Sequence, residues 1–283
     1  MRSTPTWRAD DGFSLVEMLV AVAIVSVVLA GAGGLLAASR AFTQRQTARA
    51  EVAQALRAAL DALARDLRLG GACLPTTGTF VALAGTDAGT TDTVTTRAGR
   101  VRADLTCVRT ALRADLTAPA AVLSVDSADG FTAGSWVYLR HPTGTGEFLV
   151  LSGARLDTRE LSKAGTLTRD YPAGSGVYAV EERTYAIDAS ASDAPILTVA
   201  VDGGAPMPFA SGIEQLDIRY QLARHCPACD QVDLPADETE WRLVNELDVA
   251  VVARGRSPEQ SGGWFRQQGR IHAKPRNLLP TQG

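Results

Sequence analysis

The chain has 283 residues, of which 46% are hydrophobic, and a formal net charge of −3. That length holds one large or two smaller folding units with a buried core. The charge excludes a global electrostatic attraction to nucleic acid or anionic lipid.

The N-terminus reads first as a polar stretch and then as "GFSLVEMLVA", in which Glu17 sits inside an apolar run. From Met18 to Ser39 there are 22 residues without a charge. A bilayer core needs about 20 such residues in a helix. A secretory signal peptide fits poorly. Its apolar region is shorter, and here Asp10 and Asp11 offset Arg2 and Arg8. A plain membrane anchor fits the length and leaves Glu17 unexplained, since a carboxylate inside a membrane helix costs about 2.5–3.5 kcal/mol.

Residues 1–17 resemble the type IV prepilin signal. Gly12 ends a 12-residue leader, and Phe13, Ser14, Leu15, Val16 and Glu17 follow in order. The resemblance implies cleavage after Gly12 by a prepilin peptidase, N-methylation of Phe13 and retention of the apolar segment. The freed α-amino group would be cationic near neutrality. In a filament a neighbour's amino group can then pair with Glu17, which would otherwise be an expensive unpaired carboxylate in apolar surroundings. Before assembly Glu17 can snorkel to the headgroups. The implied partners are other major and minor pilins through the N-terminal helix, an inner-membrane assembly platform and, before assembly, the membrane. The implied location is the inner membrane as a single-pass protein and then the pilus at the cell surface, with an extracytoplasmic C-terminal domain. Arg40, Arg45 and Arg49 flank the far end of the span, so positive charge alone does not set the orientation.

The helix is expected to continue. Val52, Leu56, Leu60, Leu63 and Leu67 recur at steps of four, four, three and four, which is one apolar helical face. Arg57, Asp61, Arg65, Asp66 and Arg68 fall largely elsewhere, and Gly70-Gly71 is a stop signal. One helix over 13–69 would have 57 residues and span about 85 Å. Gly31, Gly33 and Gly34 either let helices approach closely or are merely tolerated.

Beyond Gly71 the period becomes two. "QLDIRYQL" alternates Leu216, Ile218, Tyr220 and Leu222 with polar residues, and "ELDVAVVARG" puts Leu247, Val249 and Val251 on one face. "SWVYLRH", "GEFLVL", "GTLTRDY" and "APILTVAV" also read as strands between Gly, Pro and Asp. The expected fold is therefore α+β. A long N-terminal helix, with a membrane half and an amphipathic half, packs on a mainly antiparallel β domain over 70–283. Residues 120–188 read as a small inserted β subdomain. The strands "PFASGIEQLDIRYQL" and "WRLVNELDVAVVARG", with Gly212, Ile213, Leu216 and Tyr220, resemble the closing sheet of PilW-type minor pilins. Type II secretion pseudopilins share the same plan.

Cys73, Cys107, Cys226 and Cys229 suit disulfides in an exported domain. The preferred pairing is Cys73–Cys107, tying the end of the helix to the β domain, with Cys226–Cys229 closing a tight loop. Zinc at the second pair would need more ligands than His225 adds, and redox chemistry would need a helix N-terminus there. No nucleophile-elbow, zincin or phosphate-loop motif occurs, and only His141, His225 and His272 are present. "VDSADGF", with Asp126, Asp129 and Gly130, reads as a turn rather than a calcium loop. No enzyme activity, metal or cofactor is expected.

Two basic clusters are candidates for phosphate contact. Arg97, Arg100, Arg102, Arg109 and Arg113 flank Cys107, while Arg254, Arg256, Arg266, Arg270, Lys274 and Arg276 surround Trp264 and Phe265. The plainer reading of both is a solvated face. A pilin-like subunit with so bulky a β domain is expected at a filament tip or in an initiation complex, serving adhesion, motility or DNA uptake. The rivals are a DNA-binding or adhesive tip receptor and a secretion pseudopilin.

Overall fold

The computed structural model describes residues 15–191, 193–223, 231–258 and 263–276. By internal contacts the chain divides into two compact units, Met1–Ala50 and Glu51–Gly283.

Helix α1 covers Leu15–Leu69. The strands that follow are β1 (Leu83–Thr86), β2 (Thr93–Gly99), β3 (Arg109–Ala111), β4 (Val122–Ser124), β5 (Trp136–Arg140), β6 (Gly146–Arg155), β7 (Glu160–Lys163) and β8 (Gly176–Asp188). After them come β9 (Ile196–Val201), β10 (Met207–Ser211), β11 (Ile213–Leu222), β12 (Gln231–Val232), helix α2 (Glu238–Leu243), β13 (Val244–Pro258) and β14 (Trp264–Ala273). A long N-terminal helix followed by a mostly antiparallel β domain is the α+β class that the periodicities indicate.

Ten strands form one sheet in the order β1-β2-β8-β5-β6-β7-β4, with β3 and β9 also on β8, and β10 on β9. Strand β8 is central because its 13 residues are long enough to hold four partners. Its first half pairs with β5 and β3, its second half with β2 and β9. The remaining four strands form a second sheet, β12-β11-β13-β14. Asp92 joins the two sheets. Its carboxylate accepts from the Ile218 amide at 2.8 Å, beside a bridge between Thr91 and Leu216.

Three apolar clusters hold the β-rich unit. In the first, Val52, Leu56, Ala59, Leu63 and Leu67 of α1 pack with Ile213, Leu216, Ile218 and Tyr220 of β11 and Leu247, Val249 and Val251 of β13. These are the periodic faces of helix and strands meeting, with Leu60 half-buried at the margin. Gly269 of β14 lets the helix come close, since a Cβ there would lie 2.5 Å from Leu60. The second cluster runs from Val108 to Ala179 and includes Leu123, Val137, Leu139, Leu151, Leu161 and Val177. Residues 120–188 supply most of it, yet β5 and β8 are shared with the large sheet. The third cluster, around Phe80, Tyr138 and Val180, is smaller.

Two local expectations differ from the structure. "GTLTRDY" forms no strand, and Tyr171 makes only an isolated bridge to Leu116. Tyr171 and Leu167 turn inward instead, as members of the second cluster. The start of "WRLVNELDVAVVARG" is helical. Asp237 caps α2 by accepting from the Thr239 and Glu240 amides at 2.8 and 2.9 Å, and Glu240 reaches back to the Ala236 amide at 2.8 Å. Capping of this kind offsets the unpaired donors of a first turn and overrides the β character of the residues that follow.

Candidate functional site: the N-terminal segment and the charged side chains of the β unit

In the N-terminal unit, every described side chain from Leu15 to Leu36 is exposed. Leu15 is 77% exposed, Val27 73% and Leu35 75%. Leaving about a dozen large apolar side chains in water forfeits roughly 1.5–3 kcal/mol each, of the order of 20 kcal/mol in all. Apolar surroundings would recover that free energy. Among the described residues there is one helix long and apolar enough to cross a membrane, and this segment lies in it. The one hydroxyl in the first half of the run, that of Ser26, donates to the Val22 carbonyl at 2.7 Å and so leaves no unmet donor facing lipid.

Glu17 stands in the first described turn of α1, exposed like its apolar neighbours. A carboxylate near a helix N-terminus opposes the helix dipole favourably. Gly12 and Phe13 lie outside the described residues, as do Cys226, Cys229 and His225.

In the β-rich unit, Cys73 and Cys107 form a disulfide. It joins the turn after α1 to the short hairpin that Val101 and Cys107 close. Arg102 fixes that hairpin, donating to Asp129 Oδ2 at 2.8 Å and to the Cys107 carbonyl at 2.9 Å. The "VDSADGF" carboxylate at Asp129 is thereby an ion-pair partner.

Of the eleven basic side chains in the two clusters, six among the described residues face a carboxylate within the fold. Arg97 donates to Glu182 at 2.7 Å and lies over the Phe148 ring. Arg100 pairs with Asp202. In the second cluster, Arg266 pairs with Glu214 at 2.5 Å, and Arg254 lies 3.7 Å from the same carboxylate. Lys274 and His272 both face Glu246, at 3.3 and 3.5 Å. Trp264 sits under the Arg254 guanidinium at 4.6 Å, and Phe265 packs against the first core cluster. Both rings are thereby partly covered. Arg109, Arg113, Arg270 and Arg276 are exposed, scattered over β3, β14 and the loops.

One charged residue was placed on the wrong side of the helix by periodicity. Asp66 is 5% exposed and accepts from the Tyr185 hydroxyl at 2.6 Å and from Arg183 at 3.0 Å. Its position three residues after Leu63 and next to Leu67 was the signal, since that spacing sets it at the flank of the apolar face. Burial, and then the bond to Asp66, pushes the Tyr185 phenol above its usual range. Lys163 was equally silent in the sequence. It is 5% exposed and donates to the Ala118 and Gly165 carbonyls at 3.2 and 2.7 Å, and burial pulls its pKa below the ordinary lysine value.

A cleft of about 270 Å³ lies between Pro75–Gly78, Phe80 and Trp241–Leu243. It is mainly apolar and assembles no acid–base pair. Among the described residues no group of three or more His, Cys, Asp or Glu side chains is placed to hold a metal ion.

The family model of the prokaryotic N-terminal methylation motif matches residues 7–33, which bracket Gly12, Phe13 and Glu17. No curated protein matches the chain.

Proposed function

We propose, for a chain that is type IV pilin-like by its N-terminal methylation motif, that it is a low-abundance pilin acting at the filament tip or in the complex that starts assembly. The motif implies processing by a prepilin peptidase and assembly with other pilins, and with the exposed apolar helix it fits a single-pass inner-membrane anchor. The observation that carries the reading is the place of Glu17 at the start of an uncharged segment whose described side chains from Leu15 to Leu36 are exposed. Cleavage after Gly12 would free the Phe13 amino group four residues before Glu17. In a bundle of such helices, the amino group of one subunit and Glu17 of the next would neutralise each other and set the register. The bulk of the β-rich part supports a terminal position over one repeated along a shaft. The PilW-type assignment rests on Gly212, Ile213, Leu216 and Tyr220 alone.

The test is a filament count by electron microscopy in a strain lacking the protein, complemented by the wild type or by Glu17→Ala. Filaments should be lost, restored by the wild type and restored poorly by Glu17→Ala. Normal filament numbers without the protein would defeat the initiation role. The same motif supports a secretion pseudopilin, and loss of a secreted substrate with intact pili would favour that reading. Direct contact with DNA, whether for uptake or as a tip receptor, is the weaker proposal, because Arg97, Arg100, Arg102, Arg266 and Lys274 already face carboxylates.

A further inference from the structure

We propose that Arg40, Arg45 and Arg49 form a collar that binds the headgroup phosphates of anionic phospholipids where the apolar span ends. The proposal rests on the membrane-anchor reading and adds a ligand to it. Between Glu17 and Glu51 the only charged residues are these three arginines, so the stretch is +3 in a chain whose net charge is −3. The helix beyond it is different. From Glu51 to Leu69 three acids, Glu51, Asp61 and Asp66, balance three bases, Arg57, Arg65 and Arg68. Acidic residues are thus missing from the span and the arginine stretch after it, and return at Glu51, next to Val52 and Leu56 of the first core cluster. A merely solvated helix face has no reason to exclude them.

Geometry agrees with a headgroup ligand. All three arginines are exposed. Along the helix axis, Arg45 lies about 7.5 Å and Arg49 about 13.5 Å beyond Arg40. Arg45 and Arg49 project to one side and Arg40 roughly opposite, at about 100° per residue, so the collar addresses lipid around the helix. Arg40 and Arg45 fall within about one Debye length of a headgroup layer at Arg40, and the long Arg49 side chain can reach back. Phe42, 63% exposed, sits among them at the level where aromatic side chains partition to the interface. The hydroxyls of Thr43 and Thr47 are spent on the Ser39 and Thr43 carbonyls at 3.0 and 3.1 Å. The three exposed cationic side chains offer positive charge to an anionic headgroup at this level. Lipid held this way would fix the depth of the span until neighbouring helices replace it.

The experiment reconstitutes the full chain in vesicles containing trace spin-labelled phosphatidylglycerol or phosphatidylcholine and measures the motionally restricted fraction of each by electron paramagnetic resonance. The wild type should prefer phosphatidylglycerol by roughly fivefold or more, the effect of a single arginine near a charged surface. The preference should shrink in about 1 M salt, where the Debye length is about 3 Å. R40Q/R45Q/R49Q should bring it close to one, while R40K/R45K/R49K should keep most of it. Equal restriction of both lipids by the wild type would overturn the proposal. So would a preference that survives the triple glutamine change, which would assign it to Arg2 and Arg8. Vesicle flotation separates the two layers of inference. A chain that does not float defeats the anchor reading, and one that floats without lipid preference defeats the collar alone.

Discussion

Replacing Asp66 tests whether the end of α1 is latched to the large sheet by a buried polar cluster. Asp66→Ala removes the acceptor of the Tyr185 hydroxyl, 2.6 Å away on a residue only 1% exposed. An orphaned buried hydroxyl costs about 1–3 kcal/mol. Arg183 loses one partner and keeps Glu181 at 2.7 Å, and about a third of its side chain is solvated, so its share is below about 1 kcal/mol. The expected loss is about 2–4 kcal/mol. Asp66→Asn retains an acceptor and should lose about 1 kcal/mol. Tyr185→Phe in the Asp66→Ala background removes the orphan and should add little, giving a coupling of about 1–2 kcal/mol. Urea unfolding read by tryptophan fluorescence is suited to this, because Trp136, Trp241 and Trp264 all lie in the β-rich unit. A loss under about 0.5 kcal/mol for Asp66→Ala, or strictly additive losses in the double variant, would refute the latch.

The disulfide and the buried lysine give two further expectations beside those for Glu17 and the arginine collar. Cys73 and Cys107 are 34 residues apart, and closing a loop of that size restricts the unfolded chain by about 3–4 kcal/mol, so C73S/C107S should lower the unfolding free energy by that amount in the same titration. An unchanged urea midpoint would contradict this. The pKa of Lys163 is lowered by burial, with Glu147 opposing the shift. Between the lowered value and the ordinary one near 10.5 the unfolded chain binds more protons than the folded one, so this group's contribution to stability rises with pH through that window. The stability of the wild type relative to Lys163→Met should therefore increase from pH 7 to pH 10. A flat difference would show that the ammonium is not penalised where it sits.

Features that depend only on chain neighbours are legible in the order of residues. The span from Met18 to Ser39, the place of Glu17 at its start, the helical face Val52, Leu56, Leu63 and Leu67, and the alternation along β11 and β13 are all written in local period. A helix or strand must bury the stripe its own geometry creates, so these readings needed no partner to be named. Tertiary structure decided the rest. Arg97, Arg100 and Arg102 read alike in the sequence, yet their carboxylates come from Glu182, Asp202 and Asp129, separated by 85, 102 and 27 residues. Asp66 looked like a surface charge until Tyr185 and Arg183 were brought to it across 119 and 117 residues. "GTLTRDY" had strand texture but lost its ladder, because Leu167 and Tyr171 were drawn into the second core. Period records which face a segment buries. Whether a charge on that segment is free, paired or enclosed is set by electrostatic partners that folding alone brings within a few ångströms.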